Sequence, residues 1–521
     1  MTDNSSSKRV DVTSSLATSA ILPFFILLIG AVFLLTLHEG QNWSGDFSLY
    51  IHHAKNLVEG KHYLDTGYLV NPVAYFVGPH AYPPVYPMLL APVYWFAGLD
   101  LEAMKWVGVI CFCIGLYYAV KAFGYRLGHW QTVAVLLIVG LNPYLWKFSN
   151  LLRSDFTFTL FCYLSLYLMM KGFRDIEERS GDIRLVTRYS LLLGLSIYLA
   201  YGTREIGVVL PLTLVTYDII CRRRISLLSI FSLSVFLLLA YAQSRLLVGE
   251  FTPQHIKDNL ASLLGNEGGN NAVTHLQYVS LKPADIMQHI IGYRWVLQHF
   301  WPESAFSWIN ITSSVLFNLT TLAAFVGYCL ALFRRITVLE IFLAGYVAVL
   351  LVFSAPSTSR YLIPLFPLVF YYMVYAYRKL SGDNNRILRI SVVIAYCSVT
   401  ALVYGAAVAN TSYENLDMGI QHPQAAEMFR YIEENTESGD TIVFRKPRIM
   451  ALLTQRISAS NPDPRKGIPD LYDSYFEAIE GDYYVDMELG EWMLPLTDSS
   501  VPGVRFSEVF RNDFFAVYRF R

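Results

Sequence analysis

Charge is what this 521-residue chain has least of: Asp, Glu, Lys and Arg make up 16% of it, against 54% hydrophobic residues. Soluble domains carry nearer ~25% charged residues. The deficit excludes an ordinary soluble protein, and repeated apolar runs of about 20 residues indicate a polytopic α-helical membrane protein. Cysteine is also scarce. All six (Cys111, Cys113, Cys162, Cys221, Cys329 and Cys397) fall inside apolar runs, none at loop zinc-ligand spacing and none placed for an extracytoplasmic disulfide. Cys111-x-Cys113 lacks the partners of a metal site and reads as two small packing residues. There is no glycine-rich loop to cradle a nucleotide phosphate. The net charge of −1 gives no reason to expect a nucleic-acid partner. No internal repeat is visible.

What is present is a series of candidate spans at roughly 17–37, 102–124, 130–147, 155–172, 187–202, 205–221, 225–247, 306–333, 336–354, 360–377 and 388–409, about eleven transmembrane helices. The first is too long for a signal h-region and lacks a small-x-small cleavage site, so it reads as a retained span. A short apolar segment, Pro84 to Gly98, reads as re-entrant or lying in the interface. With the N-terminus in the cytoplasm, every inside loop is basic: Lys8/Arg9, Lys121/Arg126, Lys171 through Arg188, Arg222-Arg223-Arg224, Arg334/Arg335 and Arg378 through Arg389. The outside then receives a loop at about 38–84, turns at about 148–154, 202–205 and 355–360, a second loop at about 248–305 and the tail from about 410.

The tail is charged, and alternating helix and strand predict a small α/β domain. Helices are expected at His422–Asn435 and Pro447–Gln455, strands at Thr441–Phe444 and Asp482–Val485, and a closing hairpin over Val504–Phe520. The expected division is a transmembrane domain over 1–409, with extracytoplasmic loops 38–84 and 248–305, and an extracytoplasmic α/β domain over 410–521.

The unusual polar residues gather on the outer side. The first loop supplies Asp46, His52 and His53, with an aromatic set that includes Trp43, Tyr50, Tyr63, Tyr75, Tyr82 and Tyr86. The next turns supply Lys147, Arg153 and Asp155, then Arg204 and Glu205, then Arg360 and Tyr361. A carboxylate can take a proton from an acceptor hydroxyl, and arginines can bind a phosphate and stabilise the charge it gains on leaving. Aromatic faces suit sugar rings, though they equally suit the belt at a membrane interface. Together these residues point to chemistry on a sugar carried by a phosphate. The plainer readings are helix N-caps for Asp46 and Asp155, a headgroup contact for Arg360, and a salt bridge at a helix junction for Arg204 and Glu205. Adjacent His52 and His53 point to different faces of a helix and make a poor joint metal site.

Gly45-Asp46-Phe47-Ser48-Leu49-Tyr50-Ile51, with Ala54-x-Asn56-Leu57-x-x-Gly60 after it, resembles the first-loop motif of the GT-C glycosyltransferases. The nearest subgroup is the protein-mannosyltransferase and aminoarabinose-transferase-like one. Tyr82-Pro83-Pro84-Val85-Tyr86-Pro87 resembles that group's Pro-Pro-Gly-Tyr-Pro segment, with Val85 where glycine is usual. Arg360-Tyr361-Leu362-Ile363-Pro364-Leu365-Phe366-Pro367 resembles its Arg-Tyr-Leu-x-Pro-x-x-Pro segment, and Gly439 to Arg456 is similar to the extracytoplasmic domain of many bacterial members.

The resemblance implies an inverting transfer of a sugar from a polyprenyl-phosphate donor to a lipid, glycan or protein acceptor, on the periplasmic face of a bacterial inner membrane. It makes Asp46 the general base and Asp155 a second carboxylate that positions the acceptor. Arg204 and Arg360 are the expected phosphate contacts, with Arg153 and Lys147 behind them and Tyr50, Tyr82 and Tyr361 lining the substrate. No cofactor is expected, and a divalent cation stays open without a ligand set to support it. The competing class is a transporter or flippase of lipid-linked sugars. Spans nearly free of charge at their centres, and the lack of related halves, argue against that class.

Overall fold

The computed structural model describes residues 12–246 (except 72, 75, 76, 180 and 181), 306–352, 359–380, isolated positions within 391–409, and 413–463, 471–487 and 505–521. The expected loop at 248–305, nearly all of the span at 388–409, Tyr75 and the 410 boundary lie outside the described residues.

Most of the apolar runs within the described residues form helices. After α1 (Val12–Leu35) come α2 (Asp46–Glu59), a two-residue strand β1 (Tyr68–Leu69), α3 (Val85–Ala97) and α4 (Leu101–Phe123). Then follow α5 (His129–Gly140), α6 (Pro143–Ser149), α7 (Asp155–Glu178), α8 (Ile183–Tyr201), α9 (Val209–Tyr217) and α10 (Leu227–Leu246). Beyond the undescribed stretch lie α11 (Phe306–Arg334), α12 (Val338–Val352), a 3₁₀ turn at Ser359–Leu365 and α13 (Phe366–Leu380). Four of these helices are long and apolar enough to cross a membrane, and α5 with α6 forms a fifth candidate bent by 54°. The bend falls where Pro143 follows Asn142, whose side chain caps the new helix. The chain is a multi-pass membrane protein.

Inside the bundle, α4 packs on α7, α7 on α8, and α8 on α10. The α8–α10 approach is so close that a Cβ on Gly194 would lie 2.6 Å from the Ser232 carbonyl, the small-residue packing that membrane helices use. Proline does not break α3: the helix is continuous through Pro92 and leaves Trp95 and Phe96 exposed, as suits a segment lying at an interface.

The tail forms α14 (Pro423–Asn435), β2 (Thr441–Phe444), α15 (Pro447–Thr454), β3 (Ile457–Ala459), α16 (Leu471–Ile479), β4 (Tyr483–Met487) and the hairpin β5 (Phe506–Arg511) with β6 (Phe515–Phe520); of these, β3 and α16 were not expected from the sequence. The six-stranded sheet runs β1-β3-β2-β4-β6-β5, so the first loop supplies one of its edge strands. Tyr68 and Leu69 pair in parallel with Ser458 and Ala459. Loop and tail also share one apolar core: the Trp43 ring lies 5.9–6.2 Å from Phe429, Phe444 and Phe515, and its indole N–H donates to the Met418 carbonyl at 2.9 Å. Trp43, Tyr63 and Tyr86 are buried core rather than rings open to a sugar. This joint core fixes the tail against the start of α2, where Asp46 lies.

Candidate active site

Asp46 is the first residue of α2, behind a Gly45 with no side-chain cap, and its carboxylate does not turn back to cap the helix. One oxygen accepts from the Tyr82 hydroxyl at 2.6 Å, and the other is ion-paired with Arg360. Burial alone raises this carboxyl's pKa. The Arg360 charge, the Tyr82 hydrogen bond and the Arg448 charge outweigh it and hold Asp46 well below the usual carboxylate range.

Asp155 opens α7 behind Ser154, again without a capping bond from the preceding side chain. It pairs with Arg204, and its second oxygen has no hydrogen-bond partner among the described residues. Arg204 therefore pairs across the bundle with Asp155 and not with Glu205. The two ion pairs adjoin through aromatic rings. The Tyr361 face carries the Arg204 guanidinium at 4.4 Å and the Arg360 guanidinium at 5.5 Å. The Tyr50 ring packs on Tyr82 at 4.6 Å, while its hydroxyl lies 3.1 Å from the Ser154 hydroxyl beside Asp155. Arg153 stacks over Phe148, and its Nε has no partner among the described residues. Asp46, Asp155, Arg204, Arg360, Tyr50, Tyr82 and Tyr361 thus form one constellation, while Lys147 lies exposed on α6.

Sequence reasoning missed the tail's contribution. Arg448, on α15, is buried, lies 3.9 Å from Asp46, and donates to the Pro79 carbonyl at 2.7 Å and to the Tyr82 hydroxyl at 3.4 Å. Its guanidinium faces the Tyr68 and Tyr82 rings, and its Nε has no partner among the described residues. The first loop closes over it at Gly78: with φ at +114° and an added Cβ 2.5 Å from the guanidinium, only glycine fits there. Nearby, burial and the Arg445 charge push Lys446 down to about 8, with Asp46 pulling the other way. The available signal was Lys446-Pro447-Arg448 itself, since cations at the start of a helix oppose its dipole and call for a partner elsewhere.

The histidines serve the scaffold. His53 stacks on Tyr63 at 4.0 Å, donates from Nδ1 to the Tyr63 carbonyl at 2.8 Å and accepts at Nε2 from the Tyr82 backbone N–H at 3.3 Å. Burial pushes its pKa down to about 3, which keeps the ring neutral and able to accept. Among the described residues there is no group of three His, Cys, Asp or Glu arranged to hold a metal.

No family model matches the chain, and no curated protein matches it in sequence. Solved structures do match. ArnT from Cupriavidus metallidurans bound to undecaprenyl phosphate superposes with a TM-score of 0.56 at 14% identity, covering 96% of this chain and 97% of that one. The same protein in its apo state gives 0.58 at 13% identity, covering 97% and 98%. The archaeal oligosaccharyltransferase AglB from Archaeoglobus fulgidus, in complex with an inhibitory peptide and a dolichol-phosphate, gives 0.58 at 13% identity, covering 89% and 69%. From its helices through its tail, the chain shares its fold with these solved structures.

Proposed function

We propose that this protein is a membrane glycosyltransferase that moves a sugar from a polyprenyl-phosphate donor to a lipid, glycan or protein acceptor. One observation carries the reading: a carboxylate that solvent still reaches, Asp46, is held by an arginine, Arg360, inside a buried basic and aromatic site on a GT-C fold. In the reaction, an acceptor hydroxyl attacks the anomeric carbon as the bond from that carbon to the phosphate oxygen breaks. A single in-line displacement inverts the centre, the hydroxyl proton passes to Asp46, and polyprenyl phosphate leaves.

Arg360 has two partners to serve. While it clamps Asp46, the carboxylate is a weak base. An arriving donor phosphate competes for the guanidinium, and as Arg360 turns to the phosphate, Asp46 loses its counter-charge and gains basicity. Base strength then rises only when the donor is in place. Arg204, fixed by Asp155 and stacked on Tyr361, supplies a second cation behind Arg360, and Arg448 supplies a third from the tail. Asp155, tied to Arg204, acts through position rather than as a proton acceptor.

The site faces the periplasm of a bacterial inner membrane in this reading, with eleven spans and the tail outside. The basic residues grouped around the far ends of α4, α7, α11 and α13 support that orientation. The test is donor turnover by the purified full chain, read as release of undecaprenyl phosphate from an undecaprenyl-phosphate sugar in the presence of a membrane extract as acceptor source. Asp46→Asn should lower turnover by about 10²–10⁴-fold. Full activity in that variant sinks the mechanism, and carrier flipping without sugar transfer favours the transporter.

A further inference from the structure

A cavity of about 620 Å³ lies at the other end of the bundle from the candidate active site, between the ends of α4, α7, α9, α11 and α13. Along α7 alone, Asp155 at one end and Lys171 to Glu177 at the other are separated by roughly 24–33 Å at 1.5 Å per residue, about one hydrocarbon thickness. The volume falls within the ordinary range of ligand sites.

Eight basic side chains line this cavity, against a single carboxylate, Glu177, which is paired with Arg222 at 2.9 Å. Two of the eight are already matched: Arg126 binds buried Glu340 at 2.6 Å, and Arg174 contacts Asp175 and Glu178. The other six are Lys121, Lys171, Arg334, Arg335, Arg378 and Lys379, and they have no carboxylate partner among the described residues. Several are pre-ordered by the protein. Arg378 donates to the Arg126 carbonyl at 2.8 Å, Lys171 lies over the Tyr167 ring at 5.7 Å, and Lys379 over the Tyr375 ring at 5.8 Å.

A topology signal needs only basic residues in the loops, and Arg184 and Arg188, exposed outside this cavity, satisfy it. Six unmatched cations around one concave space repel one another unless an anion joins them. The remaining walls are mixed. Leu127, Met170, Phe173 and Val338 are apolar, while Tyr125 and Tyr217 offer hydroxyls. We infer that this cavity binds a multiply charged phosphate group, held by Lys171, Arg334, Arg335, Arg378 and Lys379, as part of a lipid headgroup or as a free polyphosphate. The site stands apart from the transfer reaction, so the two readings fail independently.

The test uses the full chain in phosphatidylcholine nanodiscs. Inorganic pyrophosphate is titrated in one arm, and cardiolipin or phosphatidylglycerol is added to the discs in the other. The variants are Lys171→Gln with Lys379→Gln, and as a charge-matched control Arg184→Gln with Arg188→Gln, each checked for an unchanged melting temperature. Saturable binding of a two-phosphate ligand is expected, with the cavity variant weaker by about tenfold or more and the control unchanged. Saturation by pyrophosphate identifies a soluble ligand, and saturation by cardiolipin alone identifies a headgroup. Equal losses in both variants, no preference for cardiolipin or pyrophosphate over phosphatidylglycerol, or no saturable binding in either arm overturns the inference.

Discussion

The two carboxylate–arginine pairs of the site combine the same residue types in different surroundings. Asp46 and Arg360 keep 21% and 18% of their side-chain surface open, whereas Asp155 and Arg204 keep 3% and 11%. A pair that water reaches can exchange partners at modest cost, since solvent compensates each charge. A sealed pair cannot lose a member without stranding the other in a poor dielectric. The difference divides the work. In the proposed reaction Asp46–Arg360 is the pair that opens for a donor, and Asp155–Arg204 is the fixed floor against which Tyr361, and through it Arg360, is stacked.

Removing the arginine from each pair separates the two roles most sharply. Arg204→Ala leaves Asp155 buried, with one oxygen newly unpaired and the other already without a partner, and should destabilise the protein by about 3–5 kcal/mol. Arg360→Ala leaves Asp46 partly solvated and still bonded to Tyr82, so the stability loss should be about 1 kcal/mol. Its turnover should nevertheless fall by about 10²–10³-fold as the leaving phosphate loses its clamp. Thermal unfolding and donor turnover on both variants measure the split. Equal destabilisation by the two would erase the distinction between mouth and floor.

A smaller effect is expected from the tail. Arg448→Gln removes a charge 3.9 Å from Asp46 without opening either pair. Loss of one charge-assisted contact should lower kcat/KM for the donor by about tenfold. No change would mean that Arg448 only ties the first loop to the tail through the Pro79 carbonyl. Arg448→Lys tells the two roles apart, since it restores charge without the planar fork.

Arg448 also marks the limit of what the sequence made legible. The membrane helices could be read directly because a span must be both apolar and about 20 residues long, and few soluble elements are both. Asp46, Asp155, Arg204 and Arg360 could be read as candidates because ionisable residues at the ends of apolar runs are costly and therefore rare. Which aspartate pairs with which arginine could not be read, since Asp46 and Arg360 are 314 positions apart and local patterning carries no information about such contacts. β1 was invisible for a related reason: two residues are too few for strand periodicity, and pairing with Ser458 and Ala459 creates it. The aromatic set misled in part, because Trp43, Tyr63 and Tyr86 have the composition of a sugar platform and the burial of a core.

The subtlest expected effect lies in pH dependence, where the open pair should betray its exchange of partners. In the free protein Asp46 is held well below the usual range, so its ionised form persists as pH falls beneath the ordinary carboxylate pKa of about 3.9. The stability its pairing contributes is full above that value and is lost as pH falls through the depressed one. Reaction requires the ionised form, so kcat/KM, which reports the free enzyme, should show no acid limb between about pH 5 and 8. In the proposed donor complex Arg360 turns to the phosphate, which raises the pKa of Asp46. The acid limb of kcat should therefore lie at higher pH than that of kcat/KM. Tyr82→Phe removes a hydrogen bond made to the carboxylate and should move the kcat/KM limb upward in the same direction. His53 sets the lower end of the usable window: it stays neutral in the fold down to about 3, whereas an unfolded histidine titrates near 6.5, so stability declines as pH drops below about 6.5. Rates must accordingly be normalised to folded protein, followed by the tryptophan signal at each pH. Coincident limbs for kcat and kcat/KM would mean that Arg360 never leaves Asp46, and the open pair would then be as fixed as the buried one.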